Sequence, residues 1–134
     1  MNPYTTGATI LVVDECEAIC ELIEVLLIRV GYHVRTAINA ADALQIAREM
    51  PELDVALCSI ELPDMSGGEL AESISAIHSS AAIVFVSASY RPNDPMRAFE
   101  VLEKPFTISE LRSAVRSALR ATPAFAESTL CAAL

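Results

Sequence analysis

Five polar residues sit where short apolar runs stop. Asp14 and Glu15 follow the run 9–13, Ser59 lies near the end of 54–60, Ser87 closes 82–86, and Lys104 stands just beyond Val101 and Leu102. Two carboxylates, two hydroxyls and one amine can form a polar ligand site once something gathers them. Lys104 is the only lysine in the chain, which sets it apart from surface decoration. Asp14 and Glu15 also have a plainer use, because either can open the following helix and be solvated there. Taken singly, Ser59 and Ser87 are ordinary strand-end serines. Their shared position raises them above that: in open parallel sheets, ligand chemistry collects beyond the strand C-termini where strand order reverses.

The rest of the chain supplies such a sheet. The runs 9–13, 32–37, 54–60, 82–86 and 101–102 read as strands, buried on both faces where they are continuously apolar. Ile19, Leu22, Ile23, Leu26, Leu27 and Val30 repeat at helical spacing as one apolar face, and Gly31 stops that helix. Asn39 caps a second helix over about 40–50, with Pro51 after it. Ser66 closes the loop 62–68 as the cap of a helix through Leu70, Ile74 and Ile77. A last helix starts near Thr107 or Ser109, carries Glu110 in its first turn, and buries Leu111, Val115, Ala118 and Leu119. Between Ser89 and Phe99, Pro92 and Pro95 leave room for one short helix and make this the segment most expected to move. Strands alternating with helices require parallel pairing through right-handed crossovers. The expected fold is an α/β, doubly wound, five-stranded parallel sheet with helices on both faces.

Composition narrows the function. At 134 residues and 53% hydrophobic, the chain is sized for one core and is too apolar to stay disordered. One domain over 9–121 is expected, with 122–134 as a tail that holds no output domain, so that the protein acts alone. The net charge of −9 disfavours binding to nucleic acid, which needs basic patches. No run reaches the ~18 apolar residues of a membrane span, and the N-terminus offers no signal peptide, so a cytoplasmic protein is expected. Cys16, Cys20, Cys58 and Cys131 lack the paired spacing of a zinc site, and His33 and His78 stand alone; reduced, mostly buried thiols follow.

At these residues the chain resembles the receiver domain of two-component response regulators, the CheY-like superfamily, over 10–119. Leu11-Val12-Val13-Asp14-Glu15 resembles the acid pair after strand one, and Gly31-Tyr32-His33-Val34 the start of strand two. Ala41-Asp42-Ala43-Leu44 fits helix two, and Ile60-Glu61-Leu62-Pro63-Asp64-Met65-Ser66-Gly67 fits the loop after strand three. Ser87-Ala88 fits the hydroxyl residue and its small neighbour, and Lys104-Pro105-Phe106 fits the lysine with its cis-proline. The resemblance implies the strand order 2-1-3-4-5. It also implies that Asp14, Glu15 and the backbone carbonyl of Glu61 face a magnesium ion, and that Ser87 and Lys104 contact phosphoryl oxygens. In the family, an aspartate at the end of strand three takes the phosphoryl group from a phosphohistidine.

Here that position holds Ser59. A carboxylate is ionised at neutral pH, whereas a serine hydroxyl is a poor nucleophile until a base takes its proton. Magnesium prefers octahedral oxygen ligation, and one of three candidate carboxylates is gone. The expectation is a pseudo-receiver, not an enzyme, with a weakened or lost magnesium site and no other cofactor. Its Lys104 should pair with the remaining acids in a self-satisfied cluster. The rival reading is a receiver that still accepts a phosphoryl group on Ser59 or a neighbouring acid, with magnesium at Asp14 and Glu15. Val101 stands where relatives carry an aromatic switch. Flavodoxin-like cofactor binding fails, because Asp14-Glu15-Cys16-Glu17 would repel a phosphate. The implied partners in a bacterial pathway are a histidine kinase, a phosphotransfer protein or another signalling protein. They would dock on the first helix, where Cys16, Cys20, Val25 and Ile28 flank the core stripe, and on the face formed by the fourth helix, fifth strand and last helix. Arg112, Arg116 and Arg120 form a basic stripe on that last helix, either solvated or docking an acidic partner.

Overall fold

A computed structural model of the chain describes residues 7–88 and 100–133, with side chains through Arg120. The elements run β1 (Thr9–Val13), α1 (Glu17–Val30), β2 (His33–Ala37), α2 (Ala40–Glu49), β3 (Val55–Ser59), α3 (Gly67–Ile77), β4 (Ala82–Ser87), β5 (Glu100–Glu103) and α4 (Ile108–Ala133). The strands form one parallel sheet in the order β2-β1-β3-β4-β5, as expected. The short helix and the mobility expected within 89–99 lie outside the described residues. Among the described residues, no helix is long and apolar enough to cross a membrane.

Strand pleating explains why the central runs are apolar without alternation. Ile10, Val12, Val55 and Leu57 pack on one face against α1 and α4, while Leu11, Val13, Ala56 and Cys58 pack on the other against α2 and α3. In α1 the core stripe is Cys20, Ile23 and Leu27. Leu22 was expected on that stripe and is instead 51% exposed, beside Val25 and Ile28 on the outward side. The helix meets only one sheet face, so its buried arc is narrower than its apolar content. Gly31 ends α1 at φ 111°, a left-handed conformation that favours glycine.

The capping chemistry matches the residue types. Asn39 accepts the Asp42 N–H at 2.8 Å and Ser66 the Glu69 N–H at 3.2 Å. Thr107 and Glu110 form a reciprocal capping box at 3.0 and 2.9 Å, which starts α4 at Ile108. That helix continues to Ala133. The residue that opens α1 is Cys16, without a side-chain cap; Asp14 instead turns back to accept the Cys16 N–H at 2.9 Å.

Two contacts hold the β3–α3 loop. Asp64 accepts the N–H groups of Ala40 and Ala41, each at 2.9 Å, and so caps α2 from 23 and 24 residues away. Those two bonds hold its carboxyl below the usual carboxylate range. A depressed folded-state value means stability that is present above the unfolded pKa, about 4, and lost as pH falls through the folded value. Asp64→Asn should therefore lower the unfolding midpoint at neutral pH, and the gap from the parent should close in acid. Urea melts at pH 7 and pH 3 check this, and a constant gap would refute the charged cap. Gly67 donates its N–H to the Ile60 carbonyl at 2.8 Å. A Cβ there would lie 2.4 Å from the Ser59 carbonyl oxygen and 2.7 Å from the Ile60 Cα. Gly67→Ala should cost about 1–3 kcal/mol by forcing backbone apart, read from the denaturation midpoint.

Candidate functional site

The strand order brings the C-terminal ends of β1, β3 and β4 side by side, and four of the six expected residues meet there or reach there. Asp14, just past β1, is only 2% exposed. Its Oδ1 accepts the Cys16 N–H, and its Oδ2 accepts from the Lys104 Nζ at 2.6 Å. Lys104 follows β5, and its N–H bonds to the Ser87 carbonyl at 2.8 Å, which extends the β4–β5 pairing. The ion pair thus ties together the ends of two strands that are not neighbours in the sheet. The peptide bond between Lys104 and Pro105 is cis, as the motif implied.

Ser59 closes β3 at 6% exposure, and Ser87 closes β4 at 5%. The Ser59 hydroxyl donates to the Glu61 carbonyl at 2.9 Å. A carbonyl oxygen is not a base, so this bond leaves the Ser59 proton in place and its oxygen un-ionised. Glu15 stays apart: it is exposed, and no hydrogen bond or ion pair holds its side chain among the described residues. The Glu61 side chain is also exposed. The self-satisfied cluster therefore forms around Asp14 and Lys104, and Glu15 does not join it.

Two thiols lie beneath the site. Cys20 donates to the Asp14 carbonyl at 3.3 Å and the Ala37 carbonyl at 3.6 Å, and burial pushes its thiol up to about 11. Cys58, fully buried beside Ser59, is pushed up to about 12 by burial alone. Both are free, protonated core thiols, as is expected of reduced cysteines, whereas Cys16 is exposed. The sequence did not flag the Cys20 bond, the Asp64 cap or the Gly67 contact. Each joins residues that no local pattern relates.

Of the donors expected for a magnesium ion, one Asp14 oxygen is taken by Lys104, the Glu61 carbonyl accepts the Ser59 hydroxyl, and Glu15 is exposed. Among the described residues no three His, Cys, Asp or Glu side chains converge to hold a metal.

The sequence profile of the response regulator receiver domain matches residues 10–116. A two-component response regulator from Arabidopsis thaliana is 29% identical over 119 residues, covering 84% of this chain and 21% of that protein. The DNA-binding transcriptional regulator NtrC of Azospirillum brasilense is 33% identical over 119 residues, covering 85% and 24%. The chain thus spans about a fifth to a quarter of these relatives' length. A receiver domain protein from Clostridium thermocellum superposes with a TM-score of 0.78 at 27% identity, covering 88% of this chain and 98% of that one. Receiver domains typically bind Mg2+ in an acidic pocket and interact with histidine kinases or phosphotransfer proteins; they are not enzymes in the usual sense. With the profile match spanning most of the chain and the sheet order agreeing, the protein belongs to the response regulator receiver domain family of two-component systems.

Proposed function

We propose that this receiver signals by contact and takes no phosphoryl group at Ser59. One observation carries the reading: the hydroxyl at the acceptor position is buried and donates its proton to the Glu61 carbonyl, and among the described residues it makes no hydrogen bond to a side chain that could act as a base. The Asp14–Lys104 ion pair supports it, since both groups that would serve an incoming phosphoryl group already neutralise each other. Magnesium binding is correspondingly weak. The partner is a histidine kinase or phosphotransfer protein that meets the exposed Leu22, Val25 and Ile28 of α1. The basic stripe Arg112, Arg116 and Arg120 on α4 adds a charged contact, while the fourth-helix part of the expected face lies outside the described residues. Net charge of −9 sets nucleic acid aside as a partner. The test is incubation with acetyl phosphate and magnesium followed by intact mass. The expected result is unmodified protein. A stoichiometric adduct on Ser59 or a neighbouring acid would overturn the proposal.

A further inference from the structure

Among the described residues, nothing pairs with the outer edge of β2. β2 ends the strand order and pairs only with β1. The His33 N–H bonds to the Ala8 carbonyl, and the Ala37 carbonyl accepts the Asp14 N–H. Residues 33, 35 and 37 therefore direct their backbone groups to β1, and alternation turns the N–H and C=O of Val34 and Thr36 outward. No hydrogen bond reaches those four groups among the described residues. α1 covers one sheet face and α2 the other. Their flanks wall a groove of about 590 Å³ that includes Thr36 and the neighbouring β2 residues.

Both walls are acidic. Glu17, Glu21 and Glu24 line the groove from α1, Asp42 and Glu49 line it from α2, and Arg35 is the one base in the lining. None of the five acids forms an ion pair among the described residues. Ile38, 44% exposed, and Ile46 add an apolar patch.

We infer that the β2 edge is a docking groove for an extended, basic polypeptide segment, which adds to the sheet as a sixth strand. An extended chain satisfies the outward backbone groups of Val34 and Thr36, which a helix or a compact surface does not. Its side chains alternate between the two faces, so Lys and Arg at successive positions reach the α1 and α2 walls in turn. Charge selects against the other occupants. A second copy pairing β2 with β2 would bring acidic walls together, and nucleic acid would be repelled. The acids stand on the flanking helices, and the strand itself carries one formal charge, Arg35, between the two residues whose backbone groups face outward. The inference does not depend on what Ser59 does.

The test uses the full chain, labelled with nitrogen-15, and the peptide acetyl-Lys-Arg-Val-Lys-Arg-Val-amide. Binding should shift the Val34 and Thr36 amides most and slow their exchange with solvent about tenfold or more. The same peptide N-methylated throughout keeps the charge and loses the strand hydrogen bonds, so it should bind at least about tenfold more weakly. The variant E21Q/E24Q/E49Q should bind the parent peptide about tenfold more weakly with its thermal midpoint nearly unchanged. Equal affinity for the N-methylated peptide, shifts centred away from β2, or no binding at millimolar peptide would each overturn the inference. So would a concentration-dependent dimer that protects Val34 and Thr36 without peptide.

Discussion

Ser59→Asp should turn a protein that acetyl phosphate leaves unmodified into one that carries a single phosphoryl group, and only when magnesium is present. On the proposed reading, the parent fails at one atom. Its Ser59 oxygen holds its proton and donates it to the Glu61 carbonyl, so no charged oxygen is available for attack. An aspartate there is ionised without help, and it removes that hydrogen bond, freeing the carbonyl as an oxygen donor. The new carboxylate also competes with Asp14 for Lys104, whose side chain is 23% exposed and not rigidly enclosed. Two carboxylates sharing one ammonium group repel each other, so the metal-free variant should be less stable than the parent by about 1–2 kcal/mol. Magnesium reverses the sign. At a hundred times its dissociation constant, a ligand that binds only the folded state adds about 2.7 kcal/mol. Intact mass and thermal melts with and without magnesium read both effects. Ser59→Asn, similar in shape but neutral, should gain neither adduct nor magnesium-dependent stability. Equal stabilisation of the parent by magnesium would mean that the existing donors already hold the cation and that Ser59 is not what weakens the site.

The sequence carried the sheet because its signals are local. Continuous β-branched runs mark strands buried on both faces, and Asn39, Ser66 and Thr107 each precede a helix that their side chains cap within three residues. The site positions were legible for a different reason: the topology places every strand end on one edge, so Asp14 and Lys104 meet across 90 residues without any local signal between them. What stayed hidden depends on direction and distance within that edge. Nothing in the pair Asp14-Glu15 says that one side chain turns inward to Lys104 while its neighbour faces solvent. Asp64 follows Pro63 and reads as a turn residue, yet its carboxylate caps a helix that begins 24 residues earlier. Leu22 belongs to the apolar repeat of α1 by spacing alone, and only the width of the sheet face decides that it stays exposed.

Lys104→Met should be more damaging than Asp14→Asn, although the two substitutions break the same ion pair. Asp14 is buried, with its carboxylate held by Lys104 and the Cys16 N–H, whereas the Lys104 side chain keeps partial access to water. Removing the amine leaves a carboxylate in the protein interior with one backbone hydrogen bond for company. Breaking a buried pair in this way costs 3–5 kcal/mol, and partial exposure of the lysine places the expected cost near the lower end, about 3 kcal/mol. Removing the acid charge leaves an ammonium group on a flexible stem that can reach solvent, so about 1 kcal/mol is expected. Methionine preserves most of the lysine stem, which keeps the comparison electrostatic. In the double variant neither charge remains, and its cost should fall below the sum of the singles by about 2 kcal/mol. Urea denaturation midpoints at constant slope give all four corners of the cycle. If Asp14→Asn proved the costlier substitution, the carboxylate would be making contacts beyond Lys104 and Cys16. The site would then be held from the β1 side and not by the tether that Lys104 throws from β5.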